Sequence, residues 1–467
     1  MEKEKTMKNI PIVKYLRKII QNTIFENHLF LVGGVVRDYI LNTPNKDYDL
    51  VLNIENGGIR FANWLYEKGL LTHDPVIYET YGTAMCIFKE FPNDEIELVH
   101  TRKEQYKDPN SRNPQQEYGT LEEDAHRRDL CLNALYYDIT NDNIIDPTGK
   151  GLSDIENHII RTTNEDVNIP FQEDGLRVLR CVRFASRYGW EIEEQTYQAL
   201  KDNVDRLSVI SQERITDEFN KMMVCNNPVM ALDLLKEIGA LKYVLPELIE
   251  TIDCQQNKYH FGTVWQHTLK TVENTPNDLC LRISALLHDI GKIKCKTIDE
   301  KGNAHFYEHE KYSAEMVEEI LRRMKYSNDF IKHVTTLVLN HMRTKPWKND
   351  CSKMKLKTLR QMWYELGDDF DDCLTLIHAD NLSHAEEYCL PNQVPIIRGK
   401  IKILKECGED FAHYKLPING KDVMETLHIE PSSTVKDCLK WALKFAFNKP
   451  NITKEELLKQ IKQFKNN

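Results

Sequence analysis

No stretch of this 467-residue chain approaches the roughly 18 consecutive apolar residues that a membrane-spanning helix needs, so no membrane is expected among its partners. Its twelve cysteines include no C-x-x-C pair; they stand singly, as at Cys86, Cys131, Cys181, Cys225 and Cys254. That scatter argues against a zinc ribbon or a disulfide frame and for reduced thiols. Repeats of fixed period and low-complexity tracts are missing, which excludes a solenoid or array. The opening MEKEKTMKNIPIVKYLRKII carries charge but no long apolar core, so no secretory signal is expected and the cytoplasm is the expected address. Positive charge is scarce: 62 Lys and Arg against 72 Asp and Glu leave a formal charge of −10. Such a chain is no general nucleic-acid binder, although a local basic stripe can still grip the phosphates of one defined RNA.

What is present is the balance of a soluble globular protein, 41% hydrophobic and 29% charged, at a length that calls for about two to four domains. Residues 1–27 read as an amphipathic helix. From His28 to about Asp146, the runs LFLVGG, YDLVLNI, TAMCIF and EIELVH alternate with helical segments, which predicts a small α/β head over 1–150. The polar stretch KDPNSRNPQQEYG, residues 107–119, reads as a mobile loop within it. After Gly151 helical periodicity takes over. A neck over 151–250, a histidine-rich unit over 251–385 and a lysine-rich tail over 386–467, entered through LPING, complete the chain. The expected fold class is α+β, a small α/β head followed by an extended all-helical body.

Within the head, LVGGVVRDYIL reads as a strand, a tight Gly33-Gly34 turn and a helix. Such a junction lets backbone N–H groups approach a triphosphate, and Arg37 in the first turn adds charge for the phosphates. Next comes the strand DYDLVL. Residues two apart in a strand face the same way, so Asp47 and Asp49 present two carboxylates from one face. A pair of metal ions about 3.5–4 Å apart needs this support for in-line displacement at phosphorus. Glu97, in EIELVH, is the natural third carboxylate.

VGGVVRD followed by DYDLVL resembles the signature of class II tRNA nucleotidyltransferases and bacterial poly(A) polymerases, members of the polymerase-β-like nucleotidyltransferases. The resemblance implies Mg²⁺ in the head, CTP and ATP as donors and tRNA as acceptor; nothing in the sequence indicates a protein partner. RRDLCLNA is similar to that family's R-R-D-x-x-x-N-A motif, which places Arg128, Asp129 and Asn133 on the triphosphate and ribose. The chemistry agrees, since arginine forks suit phosphate and a carboxylate with an amide can bind a ribose hydroxyl.

The stretch EDGLRVLRCVRFASRYGW resembles the family's E-D-x-x-R motif. On a helix, Asp174 and Arg177 would sit at i and i+3 on one face, a carboxylate beside a guanidinium, imitating a Watson–Crick partner. Asp174 accepts from the exocyclic amine of cytosine or adenine and Arg177 donates to the ring nitrogen. Guanine and uracil put a carbonyl where the amine belongs, leaving polar groups unpaired. Many relatives carry proline where this chain has Gly175, which is expected to loosen the helix start. Arg180, Arg183 and Arg187 continue the line as a pocket wall, a phosphate-facing stripe or partners of acidic neighbours. DPTGKGLSD with Ile160-Arg161 resembles the family's hinge, one residue longer than its commonest form. Relatives that complete CCA carry a loop like that at 107–119, so its presence favours the full reaction.

A second constellation comprises His267, His288, Asp289, His309, His341 and Asp380. Neutral imidazoles and carboxylates drawn from several helices suit a divalent metal. ALLHDIGK is expected to be a helix carrying His288 and Asp289 and stopped by Gly291. The ordered series resembles the HD-domain phosphohydrolases, which some class II CCA-adding enzymes carry. KLPINGKDVM with LHIEPSSTVKDCLKWAL is similar to the tail of such members and is expected to touch tRNA. The rivals are a poly(A) polymerase or a partial C- or A-adding enzyme, and from other classes an HD phosphohydrolase acting on RNA ends or nucleotides, or a non-catalytic RNA scaffold.

Overall fold

Short β-branched runs divided by glycine turns pair into one mixed sheet at the head of the chain. The structure is a computed structural model and describes residues 7–45, 47–105, 115–260, 262–348 and 351–466. Its strands are β1 (Leu29–Val32), β2 (Tyr48–Leu52), β3 (Val76–Tyr78), β4 (Thr83–Ile87), β5 (Glu95–His100), a separate ribbon of β6 (Arg102–Gln105) and β7 (Gln115–Tyr118), then β8 (Tyr136–Asp138) and β9 (Asn143–Ile145). The main sheet runs β3-β4-β5-β2-β1-β8-β9. Within this sheet and among the described residues, only β2 and β5 pair in parallel, and the helix crossing between them, α3 (Gly57–Glu67), lies against β5. Phe30, Val32, Val51 and Tyr136 pack with Ala125 and Ala134 in the core beneath the site.

The expected N-terminal helix is shorter than 1–27: α1 spans Pro11–Ile20, started by a proline whose missing N–H costs nothing there. Most of the expected loop, 107–114, lies outside the described residues; its last part is the strand β7. The remaining helices of the first half are α2 (Gly34–Ile40), α4 (Leu121–His126), α5 (Gly151–Asn157), α6 (Ile169–Glu173), α7 (Leu176–Tyr188), α8 (Glu194–Asp202), α9 (Gln212–Met223), α10 (Pro228–Glu237) and α11 (Leu241–Val244).

The chain divides into two compact units, Met1–Val244 and Leu245–Asn467. In the second, α12 (Val264–Glu273), α13 (Leu279–Leu287), α14 (Lys292–Cys295), α15 (His309–Arg323), α16 (Asn328–Asn340), α17 (Leu356–Leu366), α18 (Phe370–Leu382) and α19 (Gln393–Glu406) precede α20 (Gly420–Leu427), α21 (Ser433–Ala446) and α22 (Lys454–Asn466). These last three helices share a core of their own, with Val423, Cys438, Ala442, Leu457 and Ile461 buried. Among the described residues, the strands after Gly151 are two-residue pairs only, 159–160 with 191–192 and 297–298 with 304–305. Among the described residues, no helix is long and apolar enough to cross a membrane, and no disulfide forms.

Candidate active sites

In the head, β2 begins one residue after Asp47 and sets Asp49 opposite Glu97 of β5. Asp47, Asp49 and Glu97 are exposed, while Leu50, Val51 and Leu52 are buried. The Asp47 N–H donates to Asn45 Oδ1 at 2.8 Å, which fixes the entry to the strand. Although solvent reaches its side chain, the Asp49 carboxyl is lodged among protein atoms. That desolvation, then Glu97, pushes it up to about 6, with Arg128 opposing and Asp47 adding to the rise. A cation would relieve this repulsion, so these residues fit a metal. They are spread more widely than a closed cage: among the described residues, the sets of three donors mutually within 4.8 Å all lie in the histidine domain.

Gly33 caps α2 at φ +73°, a left-handed backbone that a side chain would strain. A Cβ there would lie 3.7 Å from Arg128 Nη1, and one at Gly34 would lie 3.6 Å from Arg37 Nη2, so both guanidinium groups edge this turn. Arg37 is buried. Its Nε donates to Asp38 Oδ1 at 2.7 Å and its Nη1 to Asn133 Oδ1 at 2.5 Å, with its guanidinium 5.1 Å from the Phe184 ring centre.

Asp124, on α4, is a residue that sequence reasoning missed; nothing in EEDAH distinguishes it from its acidic neighbours. It is fully buried and accepts from Arg127 Nε at 2.8 Å, Arg128 Nη2 at 3.0 Å and the Tyr136 hydroxyl at 2.6 Å. Burial alone would raise its pKa, but Arg128 and Arg127 hold it well below the usual carboxylate range. Asp129 is likewise buried. Arg180 Nε donates to its Oδ2 at 2.7 Å and Asn133 Nδ2 to its Oδ1 at 3.1 Å, and against the burial penalty Arg180 draws it down to about 2. Arg183 donates to the buried Glu218 at 3.0 Å, so two of the three arginines in that line are paired with acids.

The motif around Asp174 departs from the expected single helix. Asp174 has extended backbone and ends α6, and α7 starts only at Leu176. Its Oδ1 accepts the Leu176 N–H at 3.0 Å, which caps the new helix and explains the break, and its Oδ2 accepts from Arg214 Nη2 at 2.8 Å. Arg177 meets Asp174 only through the main chain, its N–H donating to Asp174 O at 3.0 Å, while its guanidinium bonds elsewhere: Nη1 donates to Glu173 at 3.0 Å and Pro170 O at 3.1 Å, Nη2 to Arg127 O at 2.6 Å. That last bond ties α7 to the Arg-Arg-Asp segment. Gly175 does not loosen the start. A Cβ there would meet Arg206 O at 2.6 Å, so the glycine permits a close backbone approach.

All six residues singled out in the histidine domain come together, though Gly291 is no left-handed stop. The helix α13 ends at Leu287, His288 caps it, and Gly291 has φ −67°. Glycine stands there because a Cβ would meet the α15 backbone, His309 O at 2.5 Å. Each of four Nδ1 atoms faces a backbone carbonyl: His267 to Ser383 at 3.2 Å, His288 to Ala285 at 2.8 Å, His309 to Phe306 at 2.9 Å and His341 to Val338 at 2.6 Å. Carbonyls only accept, so Nδ1 carries the proton and Nε2 of a neutral ring keeps a lone pair. Those lone pairs converge, His267 on His288 and His309 on His341, each pair 3.3 Å apart. Asp289 spans both, Oδ2 being 3.4 Å from His267 and Oδ1 3.1 Å from His309, while Asp380 Oδ1 is 3.1 Å from His267. Facing lone pairs backed by carbonyls make a nest that fits divalent cations.

Burial lowers the pKa of His267 against the pull of Asp380 and drives His341 down to about 3, with His288 and His309 adding to its fall. Both rings are therefore neutral, the form that can ligate a metal. At His288 the Asp289 carboxylate outweighs burial and the shift is upward. The outer partners were missed in the sequence: Lys292 Nζ lies 2.6 Å from Asp289 Oδ2 and 3.3 Å from His260, and Lys345 Nζ lies 2.8 Å from Asp380 Oδ2 and 3.1 Å from His384. Only Lys292 had a signal, as the last residue of ALLHDIGK.

Residues 29–161 match the Poly A polymerase head domain, residues 189–251 the probable RNA and SrmB-binding site of polymerase A, and residues 258–383 the HD domain. The chain thus matches, in order, a poly A polymerase head domain, a probable RNA-binding segment and an HD domain, and nucleotidyltransferase and HD families are metal-dependent. Among relatives, it is 33% identical over 276 residues to the Multifunctional CCA protein of Neisseria gonorrhoeae, over 57% of this chain and 62% of that protein. It is 27% identical to the tRNA nucleotidyltransferase cca1 of Schizosaccharomyces pombe, over 98% of this chain and 95% of that one. The Bacillus stearothermophilus CCA-adding enzyme, solved in complex with CTP, shares the fold with a TM-score of 0.65 at 20% identity, over 94% of this chain and 93% of that one.

Proposed function

We propose that this chain is a tRNA nucleotidyltransferase that adds C, C and A without a template to the tRNA 3′ end, taking CTP and then ATP and releasing pyrophosphate. The observation that carries this reading is the register of Asp49 against Glu97, with Asp47 alongside and Arg128 close enough to act on the Asp49 charge. The names and near full-length coverage of the fission-yeast relative support it.

Asp47 and Asp49, backed by Glu97, would hold Mg²⁺, which when bound would supply activation of the incoming 3′-hydroxyl and charge neutralisation for the departing pyrophosphate. The Gly33-Gly34 turn, Arg37 and Arg128 cradle the triphosphate. Asp124 anchors one edge of Arg128 and leaves Nη1 beside Gly33. Asp129 and Asn133 meet the ribose hydroxyl, with Arg180 keeping Asp129 ionised. Asp174 and Arg177 read the base. In the free protein their partners are Arg214 and Glu173, so a bound base takes over some of those bonds.

We divide the protein into a head (1–150), a neck with the base-reading motif (151–250), an HD domain (251–385) and a tRNA-contacting tail (386–467), working in the cytoplasm. The HD domain is a second, metal-dependent phosphoester hydrolase: His267, His288, Asp289, His309, His341 and Asp380 would hold divalent metal, which would supply activated water for attack on a phosphate ester.

A tRNA lacking its CCA end, incubated with the purified chain, Mg²⁺ and each nucleoside triphosphate alone and mixed, tests the assignment. Growth stops after three nucleotides and is absent in Asp47→Ala. Hydrolysis of a 2′,3′-cyclic phosphate survives in Asp47→Ala and disappears in His288→Ala. A long poly(A) product contradicts the assignment in favour of a poly(A) polymerase; growth with CTP alone or ATP alone, and no more, makes the enzyme a partial one.

A further inference from the structure

The face of the head sheet that carries Asp49 does not end at its carboxylates. Asp49 stands opposite Glu97, Glu97 opposite Met85 of β4, and Met85 opposite Val76 of the edge strand β3. Residues paired across neighbouring strands face the same way, so these four side chains form one row over three strand spacings, about 14 Å. Tyr78, two residues beyond Val76, shares that face, while Leu50, Leu98 and Ala84 alternate to the opposite face and are buried. Val76 is 49% exposed and Tyr78 43%, which leaves apolar surface in water for a partner to cover.

The row has two flanks. Gly33 and Gly34 follow β1, which adjoins β2 on the side away from β5. The turn edged by Arg37 and Arg128 therefore lies on one flank of Asp49, and Met85, Val76 and Tyr78 lie on the other. In-line transfer needs this division: as the 3′-oxygen bonds the α-phosphorus, the bond to pyrophosphate breaks on the opposite side. With the triphosphate on the β1 flank, the acceptor enters from the β4–β3 flank. The strands β3, β4 and β5 contribute no lysine or arginine there, and Glu95 and Glu97 add negative charge. Such a surface repels the phosphates of an RNA and suits the faces of its bases. It is also held in place. The turn after Tyr78 closes through Gly82 at φ +61°, where the buried His100 ring leaves no room for a Cβ, and Thr83 Oγ1 donates to Tyr81 O at 3.3 Å.

We infer that Met85, Val76 and Tyr78 form a shelf for the unpaired 3′ nucleotides of the acceptor, with the terminal ribose beside Glu97 and the preceding base stacked on Tyr78. Stacking is indifferent to which base is presented, so one shelf serves each round of growth. Tyr78 is thus a positioning residue for the 3′-hydroxyl. The shelf rests on the nucleotidyltransferase reading of the head, since it holds that reaction's acceptor.

Steady-state addition of CTP to a tRNA ending in one cytidine tests the shelf, in wild type and Tyr78→Ala, with the intact acceptor and with one whose penultimate nucleotide lacks its base. Tyr78→Ala lowers kcat/KM for the intact acceptor roughly tenfold and leaves KM for CTP unchanged, and Tyr78→Phe restores the rate. Removing the base costs wild type about as much, and the two changes together cost no more than either alone. The base-free acceptor probes the stack without altering the protein, so the test does not depend on how the variant folds. Losses that multiply, or a Tyr78→Ala enzyme as fast as wild type, overturn the shelf while leaving nucleotide addition standing. A wild-type dimer that Tyr78→Ala dissociates gives the edge strand to a second copy of the chain and likewise overturns it. If wild type does not extend the intact acceptor, the CCA-adding reading falls and the shelf with it.

Discussion

Asp49 is where residue chemistry bears most directly on function. Its folded carboxyl titrates near 6 against an ordinary value of 3.8, so between these values the folded chain holds a proton that the unfolded chain has lost. In the metal-free protein this group therefore destabilises the fold increasingly as pH rises from about 4 through 6, with no effect below that window. Asp49→Asn is expected to raise the melting temperature in a chelator at about pH 8 and to leave it unchanged at about pH 4. Saturating Mg²⁺ shrinks the gain, and an equal effect at both pH values contradicts the crowding. The sequence pattern offers Asp47 and Asp49 as a pair on one strand face; the structure starts β2 at Tyr48, so alternation orients Asp49 alone, and Asp47 is tied to it by its effect on the Asp49 charge. Asp124 was not legible in the sequence, because its role comes from full burial between two arginines, and a run of acids in a helix gives no sign of which one turns inward.

At the level of elements, the head strands could be read from their β-branched runs, and the helices of the body from their periodicity. The breaks were harder. Asp174 reads as the second residue of a helix, yet its side chain captures the Leu176 N–H and a second helix begins there. ALLHDIGK reads as one helix, yet α13 stops before His288, so His288 and Asp289 stand at its end. In both places a glycine answers to a backbone from a distant part of the chain, Arg206 or His309, and no local pattern contains that information. Gly175→Ala puts a Cβ 2.6 Å from Arg206 O and should destabilise the first unit by about 1–3 kcal/mol in urea unfolding. Unchanged stability would show that the Arg206 segment yields freely.

Across the whole molecule, two metal-suited sites lie in two separately folded units of an acidic chain. The order of head, neck and HD domain was legible because each carries its own ordered motif. The tail's private core was not, because its lysine-rich surface masks a buried face that becomes apparent only once α20, α21 and α22 pack together. On the proposed function, the net charge of −10 places the burden of RNA binding on local surfaces, so accuracy has to come from the nucleotide pocket rather than from general attraction.

The pocket is therefore the place to test. Asp174 is partly exposed and bonded to a solvent-facing arginine, so Asp174→Asn leaves the fold intact while replacing a pure acceptor with a group that also donates. The decisive measurement is kcat/KM for CTP and for UTP on a tRNA lacking its CCA end, in wild type and in this variant. The wild type is predicted to prefer CTP by on the order of 10²-fold or more, and Asp174→Asn to bring the two within about tenfold while still extending the tRNA. A variant that extends tRNA with the wild-type preference intact would contradict the claim that Asp174 and Arg177 read the incoming base.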